Sequence, residues 1–180
     1  MDESPLGKLP AEMQEMIIEY TVVQEKPILL RDKSTLVEIP IAKTCRELRS
    51  YSLKIFYEGN NFDFEVIDCN ARFLANWSRL YARNYRLKYT NCLFLEGAPD
   101  WASAVAWLEL HFAEPDILNL TGLSAEGGLE FPLFAVLGRA FMISRRLKIK
   151  GLLWPDVKPV VEDALWMSRG TVRWTNAPME

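Results

Sequence analysis

The chain of 180 residues carries 21 basic and 24 acidic side chains, a formal charge of −3. A chain of this length hides about 70% of its unfolded surface, enough for a sizeable core, so dependence on disulfides or a metal for folding is excluded. Apolar residues at 49% and aromatics at 12% exclude disorder; no apolar run reaches the ~18 residues a bilayer requires and no leader pattern is visible, so an intracellular, cytoplasmic or nuclear protein with no membrane partner is expected.

Leu9, Met13, Met16, Ile17 and Tyr20 recur at helical spacing, and Pro10 suits a first helical position, which predicts a helix over 10–23. Residues 27–40 break that period around the turn-like Arg31-Asp32-Lys33-Ser34, predicting a short hairpin or two extended pieces. Ile41, Cys45, Leu48 and Ser52 restore helical spacing. In the strand predicted over 61–66, Phe62, Phe64 and Val66 face the core and Asp63 and Glu65 alternate outward.

A helix over 70–84 comes next, with Phe73, Trp77, Leu80 and Tyr81 on one side, then a strand over 88–95. Residues 99–100 open a helix striped by Trp101, Val105, Leu108 and Phe112. Beyond it lie a short strand over 116–123, a Gly-rich loop over 124–128 and a helix over 132–147. Residues 151–155 end that element, and a last helix starts near 159 with Val160, Val161, Ala164 and Leu165 inward. Helices and strands alternate without a regular βαβ rhythm. This predicts one α+β domain over 1–180, a small, mostly antiparallel sheet covered by about six helices, with residues 1–60 as an N-terminal part and 61–180 as the remainder.

Chemistry is sparse. His111 is the single histidine, beside Trp107 and Phe112, and it reads as a packing or capping residue; no GxSxG elbow and no phosphate loop is present. Cys45, Cys69 and Cys92 show no CxxC spacing and read as buried free thiols. No metal, no cofactor and no enzymatic activity is expected. Basic residues fall in two runs, which include Arg79, Arg83 and Arg86 in the first and Arg145, Arg146 and Lys148 in the second. They predict either a basic patch for phosphate or an acidic partner, or the solvated faces of two helices paired with the acids of 89–130. The acidic balance disfavours a nucleic-acid partner.

Leu9-Pro10-Ala11-Glu12-Met13, ending in Glu19-Tyr20, then Thr44-Cys45-Arg46-Glu47-Leu48-Arg49 running into Ile55-Phe56-Tyr57-Glu58-Gly59-Asn60-Asn61-Phe62, resembles a large family of fungal F-box-like proteins. Its members read "LPxELRxxIYEY" and "TCRQIRxEALxIFYxxNxF". Pro99-Asp100-Trp101-Ala102 with Trp107-Leu108 and His111 is similar to a later "PNWxxLxxWLxxYH" segment. Gln14 stands where the first motif has arginine, and Pro10 and Cys45 lie farther apart than the corresponding helices of an ordinary F-box.

The resemblance implies a non-enzymatic protein-interaction domain. It would act as a substrate adaptor of a cullin-type ubiquitin ligase, with Leu9, Pro10, Met13, Ile17, Ile41, Cys45, Leu48 and Arg49 toward a Skp-type linker subunit. The alternative is a stand-alone fungal interaction or ligand-binding protein without ligase role, which would use the basic runs or an aromatic cleft near Trp101, Trp107 and Trp154. A stripe at helical spacing packs inward by default, so Leu9, Met13 and Ile17 read as core unless they are exposed.

Overall fold

The computed structural model describes residues 5–82, 84–85, 93–115 and 131–178. Helix α1 (Ala11–Val22) begins directly after Pro10, whose φ of −53° suits a helix entry. The chain then forms a three-residue strand, β1 (Ile28–Leu30). It is not continued into a hairpin. Asp32 instead accepts the Ser34 amide at 2.7 Å and closes a capping box with Thr35, which winds the chain into a 3-10 turn over Lys33–Thr35. A second 3-10 turn, Pro40–Lys43, leads to α2 (Arg46–Gly59), where the Cys45 sulfur caps the helix by accepting from the Leu48 amide.

Strand β2 (Phe62–Ile67) lies between β1 and β3 (Leu93–Glu96), and both pairings are parallel, with Ile28 opposite Phe62 and Phe64 opposite Leu93. The mix of helices and a small sheet is α+β as expected, but the antiparallel arrangement is not what forms. The reason lies in the connections. Helix α2 joins β1 to β2, and α3 (Arg72–Trp77) lies between β2 and β3. Parallel neighbours require such crossovers, whereas antiparallel ones need only a turn. The βαβ order is present; strands of three and four residues on either side of β2 hide it in the sequence.

Being paired on both edges buries β2 beyond its alternating pattern. Phe62, Phe64 and Val66 are buried as predicted, but Glu65 is only 5% exposed rather than outward. Its carboxylate accepts from the Arg31 guanidinium at 2.6 Å, a partner delivered by the residue just after β1.

After Trp77 the helix loosens into a π-type turn, Ser78–Ala82. The extra residue per turn rotates the side chains beyond Trp77, so Leu80, expected inward beside it, is exposed. Helix α4 (Trp101–Ala113) is capped by Asp100, whose carboxylate accepts from the Ser103 amide at 2.8 Å. It packs with α5 (Phe131–Ile149) and α6 (Trp154–Trp166). Helix α6 starts five residues before the expected position near Pro159. Pro155 occupies its first turn, where the missing N–H has no helical role, so the residues read as a terminator are an initiator, and Pro159 falls inside the helix. Val161 and Leu165 are buried as predicted, and Val160 is exposed. Residues 116–128, with their predicted strand and Gly-rich loop, and 88–92 of the predicted third strand lie outside the described residues.

Candidate functional site

Helix α1 turns a different face inward from the one its spacing suggests. Ile18 and Val22 are buried, and with Gln14 they form the side facing α2. At about 100° per residue, Met13, Met16, Ile17 and Tyr20 cluster on the opposite side. There they are 49%, 57%, 40% and 84% exposed. The predicted stripe is thus a solvent-facing apolar patch, not core, and Leu9 at its upstream end is half-buried.

The predicted α2-side residues behave differently. Ile41, Cys45 and Leu48 are half-buried, and Ile41 and Leu48 pack against the core. Pro10, on the α1 side, is exposed. Arg49 is exposed but tied down, its Nε donating to the Ala42 carbonyl at 2.8 Å. Leu48 meets α1 across a groove of ≈430 Å³, lined also by Gln14, Ile18, Tyr51 and Lys54. The structure therefore divides the predicted docking residues between an outer face of α1 and the inner side of the α1–α2 pair.

Of the basic residues, Arg79 donates twice to the Glu114 carboxylate, at 2.9 and 2.7 Å. Lys148 donates to the carbonyls of Phe112 and Ala113 at the end of α4 and lies over the Phe112 ring. Both cations are thus engaged at the C-terminal end of α4, where the helix dipole favours positive charge. Arg145 and Arg146 are exposed, and Arg83 and Arg86 lie outside the described residues. The tryptophans are drawn into three separate contacts, Trp101 edge-on to Trp166 and Trp174, Trp107 against Phe141, and Trp154 against Phe112; Trp101 and Trp107 are buried and Trp154, Trp166 and Trp174 half-buried.

His111 is buried against the Phe141 ring, with centroids 4.7 Å apart, and its Nδ1 has no hydrogen-bond partner among the described residues. Burial, and then the charges of Arg145 and Lys148, push its pKa below the ordinary 6.5. The folded state therefore holds the ring neutral while the unfolded chain takes up a proton. Stability is full above about pH 6.5 and falls as pH drops below it, by up to about 1.4 kcal/mol per pH unit. With no second histidine in the chain, His111→Phe is expected to flatten this slope. Urea unfolding at stepped pH measures it, and parallel slopes for the two proteins would refute the assignment.

Cys69 is buried as expected, and burial, with Asp68 and Asp100 nearby, pushes its thiol up to about 12. Cys45 is half-buried, and Cys92 lies outside the described residues. Sequence reasoning missed a cleft at the C-terminal ends of the strands, whose walls include Asp68, Arg72 and Asp100. A parallel sheet is the signal for it, and the sheet was expected antiparallel.

Comparison with known proteins finds no matching family model, no similar curated sequence and no similar solved structure.

Proposed function

We infer that the chain is a non-enzymatic protein-interaction domain that docks a partner through the outer face of α1. The observation that carries this is the exposure of Met13, Met16, Ile17 and Tyr20 in one patch on a helix whose other side is already packed. Isolated exposed apolar residues are ordinary; a contiguous patch marks an interaction surface. Methionine suits such a surface because its flexible thioether adapts to a partner's shape. The sequence resemblance to fungal F-box-like proteins names the partner to try first: a Skp-type linker subunit of a cullin-type ubiquitin ligase, which would make the chain an intracellular substrate adaptor. An apolar helix face in a partner's groove is the recognition mode.

A second reading, a stand-alone interaction domain without ligase role, is favoured by the inward packing of Ile41 and Leu48 and the engagement of Arg49 with Ala42. These take part of the expected linker-docking face into the fold. The two readings separate in a binding experiment with the purified linker subunit, using wild type and a Met13→Glu/Ile17→Glu variant. Both substituted positions are exposed, so at about 0.5 kcal/mol each the variant is expected to unfold within about 1 kcal/mol of wild type. Under the adaptor reading, wild type binds at micromolar concentration and the variant at least about a hundredfold more weakly, since two central apolar contacts become buried charges. No binding by wild type removes the adaptor reading and leaves the stand-alone one.

A further inference from the structure

A cleft of ≈650 Å³ opens where the three parallel strands end. Arg31 lies just after β1, Asp68 just after β2, and Ala98 just beyond β3. Crevices at the carboxyl ends of parallel strands are where open α/β sheets bind ligands, because the connecting segments converge there while the sheet fixes their bases. The chain's C-terminal stretch closes one wall. Thr175 exchanges backbone hydrogen bonds with Pro99 and Trp101 at 2.9 and 3.0 Å, and the Asn176 amide donates to the Asp100 carboxylate at 2.8 Å.

Among the described residues, three that are not glycine have left-handed backbones, Asp68 (φ 51°), Cys69 (φ 62°) and Asn176 (φ 53°), and all three lie in or beside this cleft. Strain held by the surrounding structure concentrates where side chains must be aimed. Asp68 is aimed by contact as well: Gly97 is itself left-handed (φ 80°), and a β-carbon there would come within 2.1 Å of the Asp68 Oδ1.

A narrower arm of ≈210 Å³ shares Asn70, Arg72 and Ser103 with the cleft and runs along α4. Its walls are small and apolar at Ala71, Ala102 and Ala106, and Trp107 lines it too. Trp107 is 1% exposed, and its indole Nε1–H has no acceptor among the described residues. Buried donors without acceptors are rare in folded proteins.

Among the described residues, the charges around the mouth divide into those with a partner and those without. Arg31 is held by Glu65, Asp32 by Ser34, and Asp100 by Ser103 and Asn176. The Arg72 guanidinium and the Asp68 carboxylate form no hydrogen bond or ion pair among the described residues. A ligand matching them presents an anion to Arg72, a cationic donor to Asp68 and a neutral acceptor to the Trp107 indole. The geometry points to a binding site for an α-amino-acid-type zwitterion, a free amino acid or dipeptide whose side chain ends in a carbonyl. A polyanion such as a phosphate ester would meet Asp32, Asp68 and Asp100 beside Arg72 and be repelled. This goes beyond the docking role of α1 and uses none of its residues.

Titration of the ¹⁵N-labelled 180-residue chain tests it, with L-glutamine and L-glutaminyl-glycine as probes and the Trp107 indole signal assigned by its loss in Trp107→Phe. The expected result is a saturable downfield shift of that signal. Arg72→Ala and Asp68→Asn each weaken binding by at least about tenfold, the usual effect of deleting a charge-assisted hydrogen bond. Arg72 is exposed and Asn tolerates a left-handed backbone, so both variants keep their fold, read from the dispersion of the same spectra. An indole signal that neither probe moves, or that moves equally in both variants, overturns the site. Succinate or putrescine shifting it as strongly overturns the zwitterion assignment. The Met13→Glu/Ile17→Glu variant is expected to bind both probes as wild type does, so this outcome is independent of the linker-binding one.

Discussion

Replacing Asn60 by alanine is expected to lower the folding free energy by about 3–5 kcal/mol, because two or three buried polar groups lose their partner at about 1–3 kcal/mol each. Asn60 is fully buried. Its Nδ2 donates to the carbonyls of Val22 and Phe56, both at 2.9 Å, and its Oδ1 accepts from the Gln24 amide at 2.7 Å. Val22 is the last residue of α1, Phe56 lies in the last turn of α2, and Gln24 leads toward β1. One side chain thus satisfies the Val22 carbonyl at the end of α1, adds a second bond to the Phe56 carbonyl that already accepts the Asn60 amide, and fixes the exit of α1 against the exit of α2. Asn60→Asp separates the two roles. The carboxylate still accepts from Gln24 but faces two carbonyl oxygens with no proton to give, so a loss nearly as large is expected near neutral pH. Urea unfolding followed by tryptophan fluorescence measures both variants. A loss under about 1 kcal/mol for Asn60→Ala would mean that water takes over these bonds and that Asn60 is no latch.

The same residue shows what the sequence carried and what it concealed. The motif running from Ile55 to Phe62 was visible as a resemblance, and the structure supplies its physical content: Phe56, Tyr57 and Phe62 enter the core while Asn60 ties the helix ends. Helix α4 was equally legible, because a capping Asp100 and the stripe Trp101, Val105, Leu108 and Phe112 are local signals that tertiary packing leaves intact. Helix α1 is located almost to the residue, but of the two facings its stripe allows, core or exposed docking face, the default inward one is not what forms. It carries two apolar sides, Ile18 and Val22 on one and Met13, Met16, Ile17 and Tyr20 on the other, and spacing alone cannot say which one meets α2.

Strand direction was concealed for a related reason. Ile28–Leu30 is too short to show its own periodicity, and its pairing with β2 is decided by what α2 does between them. The cleft was concealed along with strand direction. Asp68, Arg72, Ser103 and Asn176 are scattered along the chain, and only parallel strands ending on one side bring them to a common wall. The engagement of Arg79 and Lys148 at the end of α4 was half visible: pairing of the basic runs with acids was one of two expected outcomes, but capping of carbonyls by Lys148 had no sequence signature.

Trp77→Ala is expected to cost about 3–5 kcal/mol, the range for emptying the volume of a buried aromatic side chain. Trp77 is 3% exposed, and its ring lies 5.1 Å from Phe62, 5.0 Å from Phe64, 5.4 Å from Tyr81 and 6.1 Å from Tyr57. Phe62 and Phe64 come from the central strand, Tyr57 from α2 and Tyr81 from the π-type turn, so one ring joins three elements. The cavity can close only if the turn moves toward the sheet, which would break the stacking of Tyr57 on Tyr81 (4.4 Å) and Tyr85 (4.7 Å). Trp77→Phe keeps a ring against the strand and is expected to lose less than half as much. Tyr57 provides a second readout. Burial, then the hydrogen bond to Tyr81, pushes its phenol well above the ordinary value of 10.0. The folded state keeps Tyr57 protonated where the unfolded chain ionises, so its contribution to stability is intact below about pH 10 and lost as pH rises beyond it. Opening the cluster by Trp77→Ala admits water to Tyr57 and brings its ionisation down toward the ordinary range, which alkaline difference absorbance reads directly. A variant that loses stability while its tyrosines titrate as in wild type would show that Trp77 fills space without shielding Tyr57.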